Sequence, residues 1–512
     1  SEGPDVTISR INGIHSWGSE DLEENGNFIA AFSVGTTSCN IGDTALEWLA
    51  FTNAHPVIRA NMYRLHDNRF EQVGTSWSLH GFLALNNSSL CTDKCVNPNV
   101  APHDELRPGC SHPESASFQG SRTYLAPNSD INAHTGVFPY PPTLPTADGN
   151  TGVGNRLQVH HDDLDPELND GARYFVEGHC ITLDDAQAGN GNNNASYREI
   201  DIITSEAAFC GVDYCALIAG DNFGEQAAIR AWKAADNSVR ETDAQVPGEG
   251  LFILAAKVTD LDNGFWQYEY ALHNLNSDRS GGSFTVPIPE GAVIQNISFH
   301  DVDHHSGEPW DGTDWEATVK DGQLTWCTTP YDVDEDANAL RWSTLYNFRF
   351  QMNGPAADGL ITLGLFKPGV PEEIAIRTKA PELPFLDCNE NGIADHFERD
   401  RDGDNLIDEC DACPDSIQSQ TIAIGTCDTG VLNTIFDDGC TMADVLAECD
   451  ASRRNQGDYV TCTKETALAW KHDGLITGSE FADIVACAAK SNAGRSTRPE
   501  RTVGKLTTQG KE

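Results

Sequence analysis

The common catalytic strings are missing from this chain of 512 residues. There is no G-x-S-x-G, no H-E-x-x-H, no G-x-x-x-x-G-K-[ST] and no G-x-G-x-x-G, so no nucleophile elbow, helical zinc pair, phosphate loop or dinucleotide fingerprint is written in it. Positive charge is scarce: 33 Lys and Arg stand against 78 Asp and Glu, a formal net charge of −45. A body so acidic repels phosphate backbones, which excludes a nucleic-acid role, and it attracts cations. No run of 18 apolar residues occurs, so no helical membrane span is expected. Cys410 and Cys413 form a C-x-x-C without a following His, which excludes haem attachment, and the acidic spacing around them argues against a redox pair. Among 78 acids a catalytic carboxylate pair cannot be singled out.

Cysteine, by contrast, is plentiful and even: 16 in all, eight before residue 330 and eight after residue 387. Even counts in each part suit disulfides closed within that part, and hence an oxidising compartment. The chain opens on Ser-Glu-Gly-Pro without Met. The expectation is a mature extracellular or cell-surface protein after removal of a signal peptide. Zinc held by Cys91, Cys95, Cys110 and His112 is the alternative use of those cysteines.

The strongest signal lies in residues 387–415, with eleven acids and two Arg in twenty-nine residues. Asp387, Asn389, Asn391, Asp395 and Glu398 occupy positions 1, 3, 5, 9 and 12 of one loop, with Gly392 at position 6. Asp400, Asp402, Asp404, Asp408 and Asp411 repeat the spacing thirteen residues later. Hard oxygens at those offsets let one short loop collect the six to eight ligands that calcium takes. Residues 400–414 resemble a thrombospondin type-3 calcium repeat of secreted bacterial proteins, and residues 387–398 resemble the same repeat or half a dockerin. The resemblance is confined to this segment and implies a calcium-stabilised spacer, not a catalyst. Asn405 stands where that family prefers Gly; Asn tolerates a left-handed backbone better than other residues with a side chain.

Before that segment the pattern is mainly β. Apolar or alternating runs at 28–34, 251–259, 265–273, 283–288, 293–299, 345–352 and 360–366 are separated by Gly, Asn, Asp and Pro clusters, as in one or two β-sandwich or jelly-roll lobes. Residues 1–200 read as a β-rich lobe with long Cys- and Pro-bearing loops, 201–380 as a sandwich lobe and 381–415 as the calcium-repeat connector. Residues 416–490 read as a small helical module. There T-x-x-D at Thr441 and T-x-x-E at Thr477 are capping signals, and Cys440, Cys449, Cys462 and Cys487 could staple a core of about fifty residues. This part resembles small C-terminal helical modules of large secreted bacterial proteins. Residues 491–512 form a basic arm; with Lys490 its six basic side chains face only Glu500 and Glu512.

Three functions follow as expectations. The first is a calcium-stabilised structural subunit of an extracellular filament, sheath or surface layer. Its basic tail would lie on an acidic neighbour, adding a strand to an open sheet edge. The second is a copper or zinc enzyme built from His300, His304, His160, His179, His55 and His80, since three imidazoles from neighbouring strands suffice for either metal. The third is carbohydrate binding, with Trp77, Trp266, Trp310, Trp315, Trp326 and Trp342 as stacking platforms.

Overall fold

The seven apolar runs all become strands: Ile29–Asn40, Leu251–Asp260, Trp266–Asn274, Gly281–Pro287, Ile294–His300, Thr344–Met352 and Ala356–Leu365. They belong to a computed structural model that describes the chain except residues 22–25, 81–82, 89, 92–93, 122–124, 144–152, 155, 205–210, 290–291, 382–387, 390–397, 405, 452–454 and 492–512. Residues 1–382 and 383–512 form two separate units.

In the first unit, strands from Val6–Glu20 to Tyr214–Phe223 make an eleven-stranded sheet. The sheet curls until its first and last strands are laced together. Asn222 Oδ1 accepts from Ile11 N (2.7 Å), and its Nδ2 donates to Ser9 O (2.9 Å). Ile8, Phe32, Met62, Val176 and Cys180 fill the inside. After residues 224–239 the chain builds two five-stranded antiparallel sheets. The middle sheet runs from Arg240–Gln245 through Leu251–Asp260, Trp266–Asn274 and Thr344–Met352 to Ile294–His300. The outer one runs from Glu316–Lys320 through Gln323–Cys327, Gly281–Pro287 and Ala356–Leu365 to Glu373–Pro381.

Side-chain alternation explains the stacking. Along Leu251–Asp260, Phe252, Leu254 and Ala256 pack with Phe284, Trp326 and Leu363 of the outer sheet, while Leu251, Ile253 and Ala255 pack with Phe175 and Tyr197 of the curled one. A strand covered on both faces must be apolar at nearly every position, and this one is. Where charged groups do enter the layer between curled and middle sheets they are matched. Arg349 binds Glu71 and, at 2.9 Å, Glu269; Arg64 binds Glu71 at 2.9 Å. Burial opposes the charge on Glu71, but His300, Arg349 and Arg64 hold its carboxyl down at about 2. Glu177, buried at 0 % exposure, accepts from Ala228 N (2.6 Å), Asn61 Nδ2 (3.1 Å) and Tyr63 OH (3.1 Å).

The second unit carries a hairpin, Thr421–Ile424 with Cys427–Leu432, and three helices, Met442–Ala451, Gln456–His472 and Gly478–Lys490. Thr477 and Glu480 complete the capping box that their spacing predicts. Ile422, Leu446, Trp470 and Ile484 fill one small core. Four disulfides, Cys388–Cys410, Cys413–Cys440, Cys427–Cys487 and Cys449–Cys462, use all eight cysteines of this part. Such cross-links belong to an oxidising environment. Among the described residues no helix is long and apolar enough to cross a membrane.

Replacing Arg349 by Ala takes one cation from each of two buried carboxylates, leaving Glu71 to Arg64 and Glu269 to Arg69, and should cost about 3 kcal/mol in urea unfolding. Arg173→Ala, which breaks an exposed pair with Glu199, should cost under about 1 kcal/mol. Equal effects would show that the interlayer network is solvated.

Candidate functional site

Hard oxygen donors converge at one place. Asp400, Asp402 and Asp404 bring carboxylate oxygens within 4.8 Å of one another, and no other three His, Cys, Asp or Glu among the described residues do so. The alternating spacing produces this directly, because the loop turns on its own side chains. Asp400 Oδ1 accepts from Gly403 N (2.7 Å), Asp402 Oδ1 from Asp404 N (3.2 Å) and Asp404 Oδ1 from Leu406 N (2.8 Å). Asp402 Oδ2 also accepts from Ser416 N (2.7 Å), which closes the loop.

Asp411 is drawn in by a residue that spacing could not reveal. Gly439 has φ +84°, and a Cβ there would overlap the Asp411 carboxylate and crowd Asp404 Oδ2. A side chain at 439 would therefore push Asp411 and Asp404 apart, and the Cys413–Cys440 disulfide fixes the approach. Burial, with neighbouring carboxylates adding to it, raises the Asp404 and Asp411 carboxyls. Burial also works to raise Asp402, but the bonds from Ser416 and Asp404 bring its carboxyl below the usual value. Asp408 stands apart from the three, accepting from Arg401 N (2.8 Å) and pairing with Arg399 and Arg401 at 3.4 Å. In the first loop Asn389 Nδ2 donates to Glu398 Oε1 (3.2 Å). Asp387, Asn391 and Asp395 lie outside the described residues, as do Gly392 and Asn405.

The six histidines named for a transition metal fall in four places. His55 Nε2 and His80 Nδ1 lie 2.8 Å apart, buried beside Phe138. His179 stands in the layer between curled and middle sheets, across from His273, which the sequence did not single out; both are at 0 % exposure, and no ring nitrogen of either finds a partner of hydrogen-bonding geometry. His160 Nε2 meets Asp303 Oδ2 at 2.7 Å, and His300 acts on the same carboxylate. His304 Nε2 meets Asn338 Oδ1 at 3.1 Å, with its ring edge-on to Trp310. The zinc alternative at the cysteines is overturned: Cys95 and Cys110 are a disulfide, which removes two thiolates, and His112 Nε2 is engaged with Glu114. Of the six tryptophans offered as platforms, Trp77, Trp315, Trp326 and Trp342 are buried, leaving Trp266 and Trp310 partly exposed.

Burial pushes the imidazoles of His80, His179 and His273 down to about 3 and those of His55 and His305 to about 4. A depressed His takes up its proton on unfolding, so stability falls as pH drops below the unfolded value near 6.5. Burial raises Asp185 and Asp301 to about 7, which acts in the opposite sense over the same range. With His304, which burial also pushes to about 3, six imidazoles stand against these two carboxyls and those of Asp163, Glu177, Glu269 and Glu308, which burial raises as well, and the imidazoles carry the larger share. The melting temperature should fall from pH 7 to pH 5, and His179→Gln should remove roughly 2 kcal/mol of that dependence while lowering stability at pH 7. A flat profile would place these imidazoles in contact with water.

No family model matches the chain, and no curated protein matches it.

Proposed function

We propose that this is a secreted structural protein whose C-terminal unit is locked by calcium, and that it serves as a subunit of an extracellular assembly. The observation that carries the calcium reading is the convergence of Asp400, Asp402 and Asp404 on a loop with donors at positions 1, 3 and 5. Calcium takes oxygen ligands from such short, acid-spaced loops. Gly439, which leaves room for Asp404 and Asp411 to approach each other, adds a fourth carboxylate from later in the chain. Without a cation these carboxylates repel one another. With one, the raised carboxyls of Asp404 and Asp411 lose their protons to metal binding, so calcium should stabilise most at neutral pH and least in acid.

Open sheet edges support the assembly reading. Strand Glu316–Lys320 ends the outer sheet with all five residues exposed. Its terminal Glu316 and Lys320 guard the edge against indiscriminate pairing. The basic arm at 491–512, of opposite sign to the body, fits such an edge; residues 492–512 lie outside the described ones. Disulfides in both units agree with an extracellular site.

Thermal unfolding across a calcium titration tests the lock. At a hundredfold excess over the dissociation constant the second unit should gain about 2.7 kcal/mol, and Asp402→Ala or Asp404→Ala should abolish the gain, whatever the loss of their loop hydrogen bonds does to the calcium-free melting point. Identical titrations for parent and variants would remove calcium from these loops. Electron microscopy of the native protein with and without chelator tests the assembly. Calcium-dependent fibres or sheets that vanish on deletion of 491–512 are expected, and dispersed particles in both conditions would overturn it.

A further inference from the structure

A cleft of about 480 Å³ opens in the first unit, and Trp310, Tyr331, Asp130, Glu335, Asp336 and Lys367 line it. Trp310 is one of only two candidate platforms that remain partly exposed. We infer that this cleft binds a neutral, hydroxyl-rich saccharide, a role separate from the calcium loops of the second unit.

The aromatic wall is held in place before any ligand arrives. Arg341 is 4 % exposed; its guanidinium lies 5.0 Å over the Trp310 ring and 4.8 Å over Phe366. Tyr331 meets Phe366 edge-on at 5.3 Å. Arg341 is itself fixed, with Nη2 donating to Glu335 O (3.0 Å) and Ala337 O (2.8 Å). Trp310, Arg341, Phe366 and Tyr331 therefore form one packed row. A rigid aromatic surface suits the apolar C–H face of a sugar ring and costs little entropy on binding.

The opposite wall is polar and equally fixed. Glu308 accepts from Asn128 N (2.6 Å) and Ser129 N (3.1 Å), which ties the 127–130 segment to the strand-end loop that bears Trp310. Asp130 accepts from Thr143 N (2.7 Å) and Thr143 Oγ1 (2.8 Å). Glu335 and Asp336 add carboxylates that form no ion pair with any described residue. Carboxylates accept hydrogen bonds from hydroxyls, and charged acceptors make the stronger ones.

Charge chooses among sugars. Asp130, Glu335 and Asp336 face Arg341 and Lys367, but Lys367 is already held by both oxygens of Asp278 at 2.9 and 3.0 Å. The cleft is left with an excess of negative charge on a chain of net charge −45. Uronates and sulfated sugars would be repelled.

Isothermal titration of the full chain against soluble gluco-, manno-, galacto-, xylo- and N-acetylglucosamine oligosaccharides, with polygalacturonate and a sulfated glycan alongside, tests the assignment. At least one neutral class should bind, and Trp310→Ala should weaken it more than tenfold. Because Trp310 also packs on Arg341, Asp336→Asn provides an isosteric second variant; it should keep the parental melting temperature and still lose tenfold in affinity. Asp321→Asn, in an exposed turn away from the cleft, should bind as the parent does. Binding to none of the neutral sugars, binding only to the charged glycans, or binding unchanged in both cleft variants would each overturn the proposal.

Discussion

A sheet covered on both faces governs the first unit. Along its three inner strands, Leu251–Asp260, Trp266–Asn274 and Thr344–Met352, the middle sheet is covered on both sides, so a polar group there finds its partner only inside the protein, and an unmatched charge would cost several kcal/mol. Arg349 meets this demand through Glu71 and Glu269, and Asn347 through the Phe70 carbonyl. Each of these contacts crosses from the middle sheet to the curled sheet or joins neighbouring strands. The same groups that keep the layer from being an uncompensated burial also fix the register of one sheet on the other. Asn61, bonded at once to Glu177 and to Ser343 Oγ (2.8 Å), does so from the opposite side. Loops that leave the two sheets at a common end inherit this fixed register, which is why Glu308 can tie the 127–130 segment to the loop carrying Trp310.

The strands were legible because apolar side chains must recur along them, whichever faces they serve. The helices of the second unit were legible from their caps: Thr441 Oγ1 bonds Asp444 Oδ2 at 2.6 Å and Thr477 completes its box with Glu480. What could not be read was how many faces a strand buries. In residues 57–66, Arg59, Asn61 and Tyr63 alternate with Ile58, Ala60 and Met62, the usual mark of a half-exposed strand, yet all six are buried. Alternation of polar with apolar residues is the signature of one wet face only when nothing covers that face. A second sheet donated from two hundred residues away leaves no trace in local periodicity.

The site followed the same division. Asp400, Asp402 and Asp404 converge because offsets within one loop are a local property, and local properties survive in sequence. Gly439 is a long-range contact, visible only once the Cys413–Cys440 bridge has brought it to Asp411. The histidines were chosen by residue type from strands expected to be neighbours. His304 lies in the loop after strand Ile294–His300 and turns to Asn338, while its neighbour His305 meets the Arg156 carbonyl at 2.7 Å. A metal centre requires convergence in space, which a pattern of residue types does not encode.

Acidity gives the two proposed ligands a common logic. The second unit has a small core and four disulfides with sequence separations of 13 to 60 residues, each worth about 3 kcal/mol or more through restriction of the unfolded chain. Those cross-links act on the unfolded state and do nothing for repulsion among Asp400, Asp402, Asp404 and Asp411 in the folded one. Only an opposite charge relieves that repulsion, so disulfides and calcium would stabilise this unit by separate and additive routes. In the first unit the excess of carboxylates would have the converse effect, turning away anions and leaving uncharged hydroxyls as partners for the cleft. One composition would thus favour a cation where carboxylates converge and a neutral polyol where they are spread along an aromatic wall.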